Sequence, residues 1–170
     1  LAVSTALSPA SAKDQTPSLV PEALVQTATR NDTPSARPNA LVPFSQSKPE
    51  MRLIGEDDTR HLTFYLSPEQ ARDGGRLRLA YTNAVSILPD GAMMSASVNG
   101  HAIGDIPIRS PQTVLATELP IPPGMLVAGW NTVRLRAQQQ HRVDCSISAA
   151  YELWTQVDPI TSGFLAETAP

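Results

Sequence analysis

Beyond Met51, apolar and polar residues alternate with a period of two along several stretches of the chain. Leu62, Phe64 and Leu66 are separated by Thr63 and Tyr65, as expected of a strand with one buried face. Leu77, Leu79 and Tyr81 alternate with Arg76, Arg78 and Ala80, and Val133 and Leu135 with Arg134 and Arg136. The arginines of those two strands are expected on the solvent side. Val98-Asn99-Gly100-His101 places Asn-Gly between β-compatible runs, the strongest short hairpin signal. Further strands fit near 114–119 and 148–155. Asp73-Gly74-Gly75, Pro89-Asp90-Gly91 and Pro122-Pro123-Gly124 supply turns. No internal repeat and no helix-length amphipathic pattern interrupts this zone. The expected fold is all-β, an antiparallel β-sandwich of jelly-roll, carbohydrate-binding-module-like type.

The first fifty residues have a different texture. They hold seven of the sixteen prolines, no glycine and one aromatic, Phe44. Prolines this frequent exclude a helix longer than two or three turns, although 21–29 could form a short one with Pro21 in its first turn. Such a segment buries too little apolar surface to offset its chain entropy. Residues 13–50 are therefore expected to be a Pro-rich, largely disordered linker ahead of a sandwich at 51–165. Residues 166–170 would begin a linker to a further domain. Residues 1–7 are small and apolar, and Ala10-Ser11-Ala12 has the A-x-A shape of a signal-peptidase site. Residues 1–12 thus read as a signal-peptide remnant, without the usual basic start.

Charge and chemistry narrow the function by exclusion. A net charge of −3 and a pI near 5.5 give no general attraction to nucleic acid or anionic lipid. No apolar run approaches the ~20 residues that cross a bilayer as a helix. The densest acidic cluster, Glu56-Asp57-Asp58, lies between predicted strands and reads as a polar turn. A facing carboxylate pair or a calcium site are the sharper alternatives there. His61, His101 and His141 fall on different elements, and no Cys/His pair has metal-ligand spacing. Cys145 and His141 have the residue types of a thiolate–imidazole pair, but no third catalytic group accompanies them. Neither Gly74-Gly75 nor Gly100-x-x-x-Gly104 is followed by the Lys-Ser/Thr of a phosphate loop. No catalytic residue, metal site or cofactor is expected.

The remaining chemistry is aromatic. Trp130 lies in Gly129-Trp130-Asn131, which either exposes it as a sugar platform or tucks it into a corner. Trp154 follows Leu153 in a predicted strand, so one of the two faces inward; the core reading competes with the platform reading. Tyr151 is the third candidate sugar contact.

A set of motifs gives the domain a resemblance. Leu53-Ile54-Gly55 with 61–66, Arg76 to Tyr81 followed by 83–89, Ser95 to Gly100, and 131–135 occur in that order. They are completed by His141, Cys145, Leu153-Trp154 and Ser162. Together they resemble the first carbohydrate-binding domain of the periplasmic B subunit of bacterial cellulose synthase. The Val98-Asn99-Gly100 hairpin and the Gly-x-Asn-x-Val-x-Leu pattern also occur in unrelated jelly rolls; the 139–164 segment is more particular. Asn83-Ala84 and Ala137-Gln138-Gln139-Gln140 depart from the family's usual residues.

The resemblance implies a non-catalytic subunit on the periplasmic side of the inner membrane, supporting a membrane glycosyltransferase subunit and contacting the emerging β-1,4-glucan. It also implies further domains downstream and an anchoring C-terminal helix outside this sequence. No direct membrane contact and no nucleic acid partner are expected of the stretch itself. His141, Cys145, Asn99, Gly100 and Asn131 are the structural signature, with Cys145 open to pairing with a cysteine beyond Pro170. Family members are often labelled as cyclic di-GMP-binding, yet nothing in these residues suggests a nucleotide site: Arg72-x-x-x-Arg76 lacks the polar element that accompanies such an arginine pair. Two alternatives stay open, the sugar-binding jelly roll of a glycoside hydrolase and a purely structural docking domain.

Overall fold

A computed structural model of the chain describes residues 40–45, 51–142 and 152–167. Among the described residues the elements run β1 (Leu41–Pro43), β2 (Arg52–Ile54), β3 (Asp57–Leu66), α1 (Pro68–Arg72), β4 (Gly75–Asn83), β5 (Met93–Val98), β6 (His101–Pro107), β7 (Leu115–Ile121), β8 (Gly129–Gln138), β9 (Trp154–Val157) and β10 (Gly163–Ala166). One sheet has the order β1-β10-β4-β9-β2, with β7 on the other edge of β4; the second has the order β3-β8-β5-β6. All named strand pairs are antiparallel. The described residues thus form the expected antiparallel β-sandwich.

The period-two pattern explains which side of each strand is covered. Leu62, Phe64 and Leu66 of β3 lie on the buried side, Leu62 opposite Val133 of β8. Val133, Leu135 and Ala137 of β8 in turn oppose Val98, Ala96 and Met94 of β5 on that same side. Leu53, Leu77, Leu79, Tyr81, Val157 and Phe164 supply the opposing layer. Between the layers, the Phe64 and Phe164 rings stack with centroids 5.4 Å apart and planes 12° apart, a geometry that adds to the area they bury. The Tyr81 hydroxyl donates to the Pro107 carbonyl at 2.5 Å. Burial raises the pKa of that phenol above its ordinary value.

The sandwich begins before the boundary expected at Met51. Leu41, Val42 and Pro43 pair with Leu165, Phe164 and Gly163. Phe44 is buried, edge-on to Phe64 at 6.3 Å, and Ser45 N donates to Thr63 O. Pro43 is compatible with this strand because β1 is the outermost of its sheet, where a missing N–H need not break a ladder. The close seating of β1 also needs Gly163, since a Cβ there would collide with the Val42 carbonyl. The other residues assigned to the linker lie mostly outside the described set.

Two local details differ from the sequence reading. Asp57 to Arg60 do not form a turn but open β3, paired through to Gln138, Ala137, Arg136 and Leu135. A single short helix turn also appears at Pro68–Arg72. Ser67 caps it, its side chain accepting from Gln70 N while the Gln70 side chain accepts from Ser67 N. The Ser-x-x-Gln spacing is a capping box. The Asn-Gly hairpin is as read: Asn99 and Gly100 have φ of 48° and 87° between the Val98–His101 pair, as a type I′ turn requires.

Candidate functional site

The outward side chains of β3 and β8 form a polar surface that ends in two aromatic rings. Register fixes the rows: Tyr65 opposes Trp130, Thr63 opposes Thr132, His61 opposes Arg134, Thr59 opposes Arg136 and Asp57 opposes Gln138. Strand β5 extends them, setting Ser97 beside Arg134 and Ser95 beside Arg136. Trp130 is 61% exposed and Tyr65 57%. Their rings meet edge to face, with centroids 5.5 Å apart and planes at 80°. A pyranose stacked on one ring would therefore meet the other ring edge-on, so the pair makes a corner and not a two-ring shelf. Of the two sugar-contact candidates among the described residues, Trp154 is half-buried and Trp130 is the exposed one. Its partner Tyr65 was not singled out.

Trp130 is held by the residue next to it. Asn131, fully buried, uses its whole amide. Its Oδ1 accepts from Val127 N at 3.0 Å and Asn99 Nδ2 at 2.8 Å, and its Nδ2 donates to Val127 O at 2.8 Å and Gly129 O at 3.1 Å. Asn99 in turn donates to Met125 O and accepts from Thr132 N. The two asparagines so lock the hairpin tip, the 125–129 loop and the start of β8 together. A buried side chain with no orphaned polar atom fixes its neighbours firmly.

At the far end of the surface, Arg136 grips Asp57 with both Nε and Nη2. The hydrogen bond from Arg136 holds the Asp57 carboxyl below its usual pKa, and the same contact raises that of the guanidinium. Asp58 accepts from Ile54 N, Thr59 N and Arg60 Nη1, while Glu56 lies 3.9 Å from His141 Nδ1. The acidic cluster is thus spent on local structure, and the described residues contain no group of three or more ligating side chains that could hold a metal ion.

The other signature residues lie elsewhere. Trp154 sits on the outer face of the first sheet beside Ile54. It is half-buried, with the Arg52 guanidinium 5.0 Å over its ring, so a cation already occupies one ring face. Its neighbour Leu153 points into the core. His141 forms an isolated bridge with Ile87. Cys145 and Tyr151 lie outside the described residues. Arg72 ends α1 and Arg76 pairs with Glu118 at 3.4 Å, so the two arginines are used separately.

Two buried polar side chains were missed as organisers. Gln139 donates from Nε2 to Gly55 O at 2.6 Å and accepts from Thr155 Oγ1 at 2.8 Å, tying the ends of β2, β8 and β9. Ser162 lies where β9 gives way to β10 along β4. Its hydroxyl accepts from Ala80 N at 2.9 Å and donates to Ala80 O at 3.2 Å, replacing the missing ladder bonds. The segment Ile160-Thr161-Ser162-Gly163 is therefore a splice between two strands.

Comparison with known proteins gives this architecture a family. Residues 41–169 match the family described as "Cellulose synthase BcsB, first CBM domain". The chain belongs to that family. The matched span opens at β1, which agrees with the pairing of Leu41–Pro43 into the sheet. This BcsB-family domain is also 27% identical over 121 residues to a "Cyclic di-GMP-binding protein" of Xanthomonas axonopodis pv. citri (strain 306). That alignment covers 70% of the chain and 15% of the relative, so the chain spans a small part of the relative's length. No helix among the described residues of the BcsB-family domain is long and apolar enough to cross a membrane.

Proposed function

We propose that the domain is a non-catalytic part of a periplasmic cellulose synthase subunit, anchored to the inner membrane by a helix elsewhere in the full protein. In this reading it supports the membrane glycosyltransferase subunit, packs against downstream domains of its own chain, and contacts the emerging β-1,4-glucan. Membership of a carbohydrate-binding family supports the reading. The observation that carries it is the Trp130–Tyr65 corner, two large rings left in water on a rigid sheet. Such rings are costly to expose and offer π-faces to the C–H face of a pyranose. No nucleotide is assigned to the domain: the name of the relative is a property of a chain several times longer.

Titration of the chain with cello-oligosaccharides, followed by tryptophan fluorescence, tests the contact. The two tryptophans are separable, because Trp154 already lies under Arg52. The expected result is a saturable change that survives Trp154→Phe and disappears in Trp130→Ala. No change at millimolar sugar would overturn the glucan contact and favour a structural docking role.

A further inference from the structure

The Trp130 corner continues into a row of hydrogen-bonding side chains, and we infer that Arg134 is a second anchor for the same glucan, used only by chains longer than a disaccharide. This inference rests on the glucan-contact reading above and adds to it a length requirement and a direction along β8.

Three observations lead there. First, Trp130, Thr132 and Arg134 are alternate residues of one strand and share its outward face. Four residues of strand separate Trp130 from Arg134 by roughly 13 Å, longer than two linked pyranoses. Second, Arg134 is exposed, and among the described residues no carboxylate lies within ion-pair distance of it. Its neighbours two residues on and across the sandwich are not free in this way: Arg136 is clamped by Asp57, and Arg76 and Arg78 share Glu118. Third, the row that crosses Arg134 is polar over β3, β8 and β5, with His61 on one side and Ser97 on the other. A guanidinium with unspent donors in a row of hydroxyl and imidazole groups suits the equatorial hydroxyls of an extended neutral sugar chain.

The rival location is weaker. A cavity of about 260 Å³ lies on the other sheet, lined by Thr82, Val114, Gln156, Asp158, Pro159 and Ile160. Its polar groups are already engaged: Gln156 accepts from Arg52 and donates to Val157 O, and Asp158 accepts from Ile160 N. On the β8 face, Arg134 keeps its donors.

The experiment compares cellobiose and cellohexaose on the 170-residue chain and on Arg134→Ala, with Arg76→Ala as a charge-matched control on the opposite sheet. Arg134→Ala should weaken cellohexaose at least ~tenfold, the loss typical of a hydrogen bond to a charged group. It should leave cellobiose within about twofold, the spread of a surface substitution, and Arg76→Ala should change neither. Equal effects of Arg134→Ala on both sugars, or no effect on either, would overturn the second anchor while Trp130-dependent binding keeps the first reading standing. Failure of the unaltered chain to bind either sugar would overturn both.

Discussion

Asn131→Ala puts the link between buried polar order and the exposed ring to the test. The side chain makes four hydrogen bonds and exposes nothing to solvent. Each is worth about 1 kcal/mol net, and more where the abandoned group stays buried. Two partners soften the loss. Val127 is 52% exposed, so water can reach its amide, and Asn99 Nδ2 keeps Met125 O. A cost of about 3 kcal/mol follows. For a sandwich of this size it corresponds to a melting temperature lower by roughly 10 °C and a urea midpoint lower by about 1–2 M. Equilibrium urea unfolding followed by circular dichroism measures it.

Asn131→Asp separates shape from chemistry. It preserves the outline but replaces the single Nδ2, with its two N–H donors, by an oxygen facing the Val127 and Gly129 carbonyls, so near pH 7 it should cost at least as much as alanine. A double-mutant cycle with Asn99→Ala should show about 1 kcal/mol of coupling through the 2.8 Å contact between the two amides. A loss below about 1 kcal/mol for Asn131→Ala, with additive single effects, would refute the claim that this network locks the loop under Trp130.

Two further outcomes follow from named contacts. Ser162→Ala should destabilise the fold by about 1–3 kcal/mol, because Ala80 N loses its partner in a buried position; faster amide exchange at Ala80 checks it, and a change under about 0.5 kcal/mol speaks against the splice. Asp57 has a folded pKa below its unfolded value because Arg136 hydrogen-bonds the carboxylate, so the pair stabilises above the unfolded carboxylate value, near 3.9, and that contribution is lost as pH falls through the lower folded value. Arg136→Gln should therefore flatten the acid limb of stability measured from pH 6 down to about pH 2; an unchanged limb would remove the pair from the acid response.

The sandwich was legible where the rule is local. Alternation at 62–66, 77–81 and 133–135 needs only neighbouring residues to reveal a buried face, and Asn99-Gly100 carries its own turn geometry. Strand β1 was hidden because three residues with a proline give no period, and its support comes from Phe164 and Gly163, more than a hundred positions away. Ser67-Pro68-Glu69-Gln70 did hold a local capping signal, but a five-residue helix is too short for an amphipathic repeat to announce it. Gln139 and Ser162 were missed as organisers for one shared physical reason. A polar residue is read as surface until the backbone groups it satisfies are known, and those groups lie on other strands.

The candidate site is the extreme case of that non-locality. Trp130 could be weighed alone, but a lone tryptophan in a turn-like tripeptide leaves both an exposed platform and a partly buried corner open. Opposition to Tyr65 makes it an exposed corner, and that opposition is set by ten paired residues between β3 and β8. A slip of one residue would turn Tyr65, His61 and Arg134 into the core and bring Phe64 and Leu135 out. The apolar inner face that stabilises the sandwich is thus also what holds the rings and Arg134 on one outer surface. Packing at Leu62, Phe64, Val133 and Leu135 fixes the outward rows without any residue of the inner face lying on the outer surface.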